Sequence, residues 1–342
     1  MIRVGIIGAG FMGRMHFDAY QKHSARAQVV TLCDKEAARR IGDWRDAIGN
    51  LGDYGSIRRD FSSVKPSADY HELLNNPAID LIDICAPTFL HREIAVAALA
   101  AGKHVLCEKP MAATLVECDA MIAAAEKTDR TFMIAQCTRF WPEYVFLKQL
   151  VETEKYGRLE SLHLRRQAAR PGYTLNNWIN NPELSGGMIL DLHIHDVDYA
   201  LFLLGKPKAI EVSGVYNPQF GADRVYAFWH YDKNRPIVLE GFWDMPPDYP
   251  FNAGISAKFE HAAVHWDMAS QKPLTVYLAG GGTETPEFPV ADGYIAEIGY
   301  FLDCVEQNKK PTHSTPQESR MAVALALAEG ESLRTGKPVD LV

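Results

Sequence analysis

Short apolar runs alternate with longer amphipathic stretches over the first 137 residues. Residues 4–7 (Val-Gly-Ile-Ile) form an apolar run ending in glycines, the pattern of a parallel strand buried on both faces. A helical pattern follows over 11–22, a second strand over 29–33 closes at Asp34, and 81–85 is a further strand stopped by Ala86-Pro87. Residues 94–101 read as a helix halted by Gly102. Strands at 105–107 and 132–135 flank an Ala-rich helix over 115–127. This β-α-β order demands right-handed crossovers and a parallel sheet covered on both sides. Residues 50–67 fit no element; they are polar and glycine-bearing, and read as a surface insertion with Arg58 and Arg59 in solvent.

Past Phe140-Trp141-Pro142 the pattern changes. Residues 210–215, 225–231, 237–243 and 262–266 are rich in β-branched and aromatic residues, with turn residues between them. They predict one large, mostly antiparallel open sheet, with helices over 190–204 and 294–307 associated with it and an Ala-rich helix over 316–334. The reading is therefore an α/β protein: a dinucleotide domain over 1–137, then an α+β domain over 138–342 for substrate binding and oligomerisation. The last helix is in a position to pack back on the first domain. The chemistry is expected in the cleft between the two domains.

Composition narrows the function classes. With 342 residues, 47% hydrophobic and 23% charged, the chain is that of an ordinary globular protein. Its 35 Lys+Arg against 43 Asp+Glu give a net charge of −8, which offers no basic surplus for a phosphate polyanion and excludes nucleic acid as the principal partner. No apolar run approaches the roughly 18 residues that span a bilayer, so no membrane partner is expected. The chain starts directly in a strand pattern without a signal-peptide layout, and its six cysteines show neither a CxxC pair nor regular spacing. Reduced thiols in a cytoplasmic protein are the expectation.

Gly8-Ala9-Gly10-Phe11-Met12-Gly13 matches GxGxxG, and its context gives the match weight: it follows a strand and opens a helix. The first glycine permits the tight turn, the second lets backbone approach a pyrophosphate, and the third lets helix and strand pack closely. The helix N-terminus offers unpaired N–H groups and the positive end of its dipole. Asp34, 21 residues beyond Gly13, can accept both ribose hydroxyls and would repel a 2′-phosphate. NAD is thus favoured over NADP, although Lys35 softens the preference. Pro87, Thr88 and His91 lie at the carboxyl end of another strand, within reach of the same cofactor; His91 reads equally well as an ordinary helix-start residue.

Two segments carry candidate reacting groups. The run 101–110 (Ala-Gly-Lys-His-Val-Leu-Cys-Glu-Lys-Pro) leaves a helix, crosses a strand and stops at Lys109-Pro110; the proline keeps Lys109 extended at the strand end. An ammonium there can hydrogen-bond a substrate hydroxyl. The run 185–198 contains His193-Ile194-His195 followed by aspartates, which invites a metal-ligand reading. At about 100° per residue, however, 190, 194, 197, 201 and 204 form one apolar stripe, and Asp191, His195 and Asp198 cluster to one side of it. His193 falls roughly 160° from His195, so on a helix the pair cannot share one metal; no metal is expected. Asp191 and His195 at i, i+4 leave an aspartate to orient an imidazole that takes an alcohol proton.

On these residues the sequence resembles the Gfo/Idh/MocA oxidoreductases, a family that includes inositol 2-dehydrogenases and glucose–fructose oxidoreductase. The carriers are Gly8–Gly13, Asp34, the 101–110 run, Arg139-Phe140 with Pro142, and Gly186-Gly187 through Asp198. The resemblance implies NAD-dependent oxidation of a secondary hydroxyl on a sugar, inositol or related polyol, with Lys109, Asp191 and His195 as catalytic residues. It also implies that Glu108 and Pro110 shape the cofactor-side loop and that the open sheet face mediates dimers or tetramers. Arg139, Trp178 and Tyr294 are candidate sugar-binding residues. Two other activities stay open: an NAD-using glycosidase of the same family, and a non-catalytic dinucleotide-sensing regulator. The sequence departs from the family pattern in the 50–67 insertion, in His193, where relatives often have a small residue, and in the proline-rich stretch 244–251.

Overall fold

The computed structural model describes all residues except 46, 48, 50–60, 173, 232–234, 289–291 and 342. In chain order the first elements are β1 (Ile2–Ile7), α1 (Phe11–Lys22), β2 (Ala27–Cys33), α2 (Ala37–Arg40), β3 (Lys65–Ser67), α3 (Tyr70–Leu74), β4 (Leu81–Ile84), α4 (Thr88–Ala100), β5 (His104–Glu108), α5 (Leu115–Glu126) and β6 (Phe132–Ala135). There follow α6 (Pro142–Thr153), β7 (Leu159–Ala169), α7 (Pro182–Ser185), α8 (Ile194–Leu204), β8 (Ala209–Asn217), β9 (Gly221–His230), β10 (Ile237–Met245), β11 (Asn252–Phe259), β12 (Ala262–Asp267), β13 (Thr275–Leu278), β14 (Thr283–Glu284), α9 (Gly293–Glu306), α10 (Pro316–Thr335) and β15 (Val339–Asp340). They group into two compact units, 1–137 with 292–320, and 138–291 with 321–342.

The first unit holds a six-stranded parallel sheet in the order β3-β2-β1-β4-β5-β6. Strand order reverses between β1 and β4, and ligands of such sheets bind at the carboxyl ends of the strands flanking that point. β4, β5 and β6 are buried along their whole length, which is why they read as largely apolar runs, with Asp83 in β4 and Glu108 at the end of β5 as buried exceptions. Two features differ from the sequence reading. Residues 65–67, taken as part of an insertion, pair with β2 as the edge strand, whereas 50–60 with Arg58 and Arg59 lie outside the described residues. Helix α9, expected beside the second sheet, packs on α1: His23 Nε2 is 2.8 Å from the Ile295 carbonyl, and Arg26 pairs with Asp303 at 2.5 Å and Glu306 at 2.7 Å.

The second unit holds a nine-stranded sheet in the order β14-β13-β12-β11-β7-β10-β9-β8-β15. Every neighbouring pair is antiparallel except β10 with β7. β7 is the central strand that periodicity did not reveal. Its inward positions Leu162 and Leu164 are followed by the buried Arg166, a charge on the apolar face that breaks the alternation with His163, Arg165 and Gln167. Along β9 the pattern is regular: Val225, Ala227 and Trp229 are buried, and Arg224, Tyr226 and Phe228 face solvent.

Candidate active site

The turn from β1 into α1 is built around close backbone contact. Gly8 has φ +98°, and a Cβ on Gly13 would sit 2.0 Å from the Gly8 carbonyl oxygen, so neither position accepts a side chain without moving the turn. Gly10 caps α1 with no side-chain hydrogen bond, and the first turn, beginning with half-buried Phe11 and Met12, carries no acidic residue. The helix N-terminus is thereby left open to an anion. Asp34 follows β2: its Oδ2 accepts the Ala9 N–H at 2.6 Å and its Oδ1 the Glu36 N–H at 2.8 Å. Arg40 braces this corner by donating to the Asp34 and Lys35 carbonyls at 2.7 and 2.8 Å. Each Asp34 oxygen keeps accepting capacity for a hydroxyl. Glycine turn, uncapped helix end and carboxylate together fit a dinucleotide with a free ribose.

At the carboxyl ends of β4 and β5 two of the expected cofactor-side residues, His91 and Glu108, make internal ties. Pro87 caps α4 and Thr88 is buried at its first position. His91 is buried, with Nδ1 2.9 Å from the Pro110 carbonyl and Nε2 2.8 Å from the Ala86 carbonyl. Burial lowers its pKa, and the ring joins the loop after β4 to the loop after β5 rather than facing a ligand. Glu108 also points inward: Oε1 is 3.0 Å from His16 Nε2, and Oε2 accepts the Lys109 N–H at 3.0 Å. His16 Nδ1 in turn lies 2.9 Å from Asp83 Oδ2. His16, Asp83 and Cys85 bring potential ligand atoms within 4.8 Å of one another, but both ring nitrogens of His16 already face carboxylates. Lys109, half-buried, leaves β5 immediately beyond this network.

In the second unit a π-helical turn, Ile189–His193, runs directly into α8. Asp191 and His195 are half-buried, whereas every residue from 192 to 200 other than His195 is buried. His195 Nδ1 is 3.3 Å from Thr138 Oγ1. His193 goes the other way: it is buried, its Nε2 is 2.8 Å from Glu329 Oε2, and Trp229 donates to Glu329 Oε1 at 2.7 Å. Burial opposes a charge on His193, but Glu329 outweighs it and raises the pKa. The two histidines therefore diverge, as the wheel arithmetic requires. The small residue facing His193 is Gly241, where a Cβ would sit 2.6 Å from its Nδ1.

Two residues expected at a substrate are instead part of the core. Arg139 is 1% exposed and forks onto Asp198 at 2.8 and 2.7 Å, with its guanidinium 4.5 Å from the centre of the Phe202 ring. Asp198, placed on the Asp191–His195 face by helical arithmetic, is turned into this pair. Tyr294, 4% exposed, opens α9 with its ring 6.3 Å from that of His16, inside the first unit. Trp178 keeps a half-buried position in the short 3-10 stretch Leu175–Asn180. The proline-rich stretch 244–251 is pinned by Arg224 on Asp244 at 2.6 Å and by the Tyr249 hydroxyl donating to Gln167 at 2.5 Å.

Sequence reasoning missed His16, Asp83, Arg166 and Asp196. Arg166 forks onto Asp196 at 2.8 and 3.1 Å and donates to the Tyr144 hydroxyl at 3.2 Å. Two signals were available: Asp83 is a charge inside a wholly buried strand, and His16 follows Gly13 by one helical turn.

Comparison with known proteins agrees with this geometry. Residues 2–136 match the model of an oxidoreductase family with an NAD-binding Rossmann fold, and 144–264 match the GFO/IDH/MocA C-terminal domain. The scyllo-inositol 2-dehydrogenase (NAD(+)) of Bacillus subtilis is 26% identical, covering 99% of this chain and 96% of that protein. The levoglucosan dehydrogenase of Pseudarthrobacter phenanthrenivorans is 32% identical over 61% of this chain and 53% of its own length. A levoglucosan dehydrogenase structure, in complex with NADH and levoglucosan, superposes with a TM-score of 0.83 at 21% identity, covering 99% of both chains. The chain belongs to the GFO/IDH/MocA family of oxidoreductases and carries that family's NAD-binding Rossmann domain.

Proposed function

We propose that the protein is an NAD-dependent dehydrogenase that oxidises a secondary hydroxyl of a sugar, inositol or related cyclic polyol. The observation that carries this reading is Asp191 and His195, left half-exposed at the start of a helix whose Asp196 and Asp198 are buried in ion pairs, in a chain that also presents Lys109 at the carboxyl end of β5, on the same edge of the parallel sheet as the dinucleotide turn. The relatives named for scyllo-inositol and levoglucosan share a ring bearing secondary hydroxyls, which supports the substrate class.

Gly8, Gly10 and Gly13 with the α1 N-terminus would hold the diphosphate of NAD, and Asp34 the adenosine ribose. When bound, the nicotinamide supplies the hydride acceptor. The residues of the chain manage the proton: Lys109 donates a hydrogen bond to the reacting hydroxyl and stabilises its alkoxide character, and His195, oriented by Asp191, takes the proton. Trp178 offers an apolar face to the sugar ring. The exposed side chains of Tyr226 and Phe228 on β9 and of Tyr277 on β13 support assembly into a homodimer or homotetramer through the sheet face. Six free cysteines fit a reducing, cytoplasmic setting, and no helix among the described residues is long and apolar enough to cross a membrane.

The test is a screen of sugars, inositols and sugar acids with NAD and NADP in parallel, following NADH absorbance, repeated with Lys109→Ala. Net NAD reduction on at least one cyclic polyol is expected, with kcat falling about 10²–10⁴-fold in the variant and NADH affinity nearly unchanged. An active Lys109→Ala enzyme refutes the assignment of the lysine. Turnover without net NADH points to the glycosidase reaction, and NADH binding with no turnover at all to a dinucleotide sensor.

A further inference from the structure

The most unusual cluster outside the proposed reacting groups is the buried chain Asp83–His16–Glu108. His16 and Asp83 are wholly buried and Glu108 is 5% exposed. The imidazole bridges two carboxylates, Nδ1 to Asp83 at 2.9 Å and Nε2 to Glu108 at 3.0 Å. Two such bonds require both ring nitrogens to donate, or one carboxyl to keep its proton. Burial works against the imidazolium, but Asp83 and, after it, Cys85 together raise the His16 pKa.

The three groups sit on three different elements. Asp83 belongs to β4, Glu108 ends β5, and His16 lies on α1, three residues past the last glycine of the turn. The second oxygen of Glu108 accepts the N–H of Lys109 at 3.0 Å, so the peptide that presents the lysine hangs from a carboxylate whose other oxygen is held by His16. A glutamate at a strand end would otherwise turn outward, because a carboxylate left in the interior without a donor is strongly disfavoured. We propose that His16 is a positioning residue for the reaction: it locks Glu108, and through it the backbone of Lys109, to the helix whose N-terminus receives the dinucleotide. One imidazole thus fixes lysine and cofactor platform to a common frame. This rests on the reading of Lys109 given above.

The inference is tested with His16→Gln and Glu108→Gln, beside Lys109→Ala, on the best substrate of the screen. A glutamine at 16 has one terminal amide and cannot span two carboxylates as the ring does. A glutamine at 108 keeps the volume but puts an amide N–H₂ against one of the two donors. A misplacement of about 1 Å costs on the order of 10²-fold in rate, so kcat should fall between tenfold and several hundredfold in both glutamine variants. NADH affinity, read by fluorescence titration, should stay within threefold, because the glycine turn and Asp34 are untouched. With substrate deuterated at the reacting carbon, the isotope effect on kcat should rise above that of the wild type as hydride transfer becomes limiting. A loss of NADH affinity matching the loss of kcat, or wild-type kcat in either folded variant, overturns the role of His16. Should His16→Gln fail to fold, Glu108→Gln alone decides by the same criteria. An active Lys109→Ala enzyme overturns the underlying assignment instead, so the two failures are distinguishable.

Discussion

Replacing Arg139 distinguishes a structural ion pair from a substrate contact. The side chains of Arg139 and Asp198 are both 0% exposed, and two N–H groups of the guanidinium fork onto that one carboxylate. Arg139→Met removes the cation and leaves Asp198 ionised in a dry interior. Breaking such a pair from one side costs about 3–5 kcal/mol, because the remaining charge is uncompensated. A domain of 150–250 residues shifts its thermal midpoint by roughly 2–4 °C per kcal/mol, so the midpoint should fall by roughly 6–20 °C. The double variant Arg139→Met/Asp198→Leu fills the volume with apolar atoms and leaves no charge behind, and should recover most of the loss. Differential scanning fluorimetry on the two single variants and the double gives the coupling directly, and steady-state kinetics at a permissive temperature completes the comparison. An Arg139→Met protein with the wild-type midpoint and a raised KM for the polyol would refute the structural assignment and return the arginine to the substrate.

Two further predictions rest on single groups. Asp34→Ser removes the carboxylate that would repel a 2′-phosphate while leaving Lys35 next in sequence and Arg40 bound to the Asp34 carbonyl, so the ratio of kcat/KM for NADP over NAD should rise at least tenfold; an unchanged ratio would show that Asp34 does not select the cofactor. His104 accepts the Thr131 N–H at 3.0 Å, and its pKa is pushed from 6.5 down to about 4 by burial and then by neighbouring Arg130. The unfolded chain therefore takes up a proton below pH 6.5 that the native ring refuses until about 4, and stability should decline as pH falls through that window. His104→Gln should flatten the wild-type decline in thermal midpoint between pH 6.5 and 4; parallel curves would contradict it.

The features that could be read from the chain are those encoded locally. The glycine turn, the strand exit at Lys109-Pro110 and the i, i+4 pair of Asp191 and His195 depend on residues within one or two turns of each other, and period and motif suffice to find them. In the structure Asp191 lies in the π-helical turn Ile189–His193 and His195 in the α-helix that follows, and both are half-buried. What could not be read depends on partners far along the chain. Arg139 reads as a polar residue available to a sugar because its partner, Asp198, is 59 residues away, and helical arithmetic puts that aspartate on the side shared by Asp191 and His195. Tyr294 was misplaced for a similar reason: apolar periodicity marks which face of α9 is buried but not that α1 is the helix covering it. The edge strand Lys65–Ser67 is too short to show a period, and the buried Arg166 on the inner face of β7 interrupts its alternation.

The buried charges share one logic that bears on where specificity resides. In the second unit Arg139 faces Asp198, Arg166 faces Asp196 and His193 faces Glu329, so α8 and the turn before it are held by three charge pairs with 0–7% side-chain exposure. In the first unit His16 stands between Asp83 and Glu108. Paired charges in a dry interior have stringent geometry, since each must meet its partner or bear the full desolvation penalty. They fix the register of an element more tightly than apolar contacts, which tolerate substitution of similar volume. Within each unit such pairs make a frame that suits groups whose function depends on position: the proposed reacting groups Asp191 and His195 are half-exposed beside the pairs of α8, and the proposed Lys109 beside Glu108. Polyol selection needs a surface that can vary without disturbing the frame, and neither α8 nor the exit of β5 provides one. Trp178, in a short 3-10 stretch with Asn176 and Asn177 at positive φ, lies outside those pairs. By this reasoning, exchanging 175–180 should change the substrate preference, while exchanging the buried pairs should change stability.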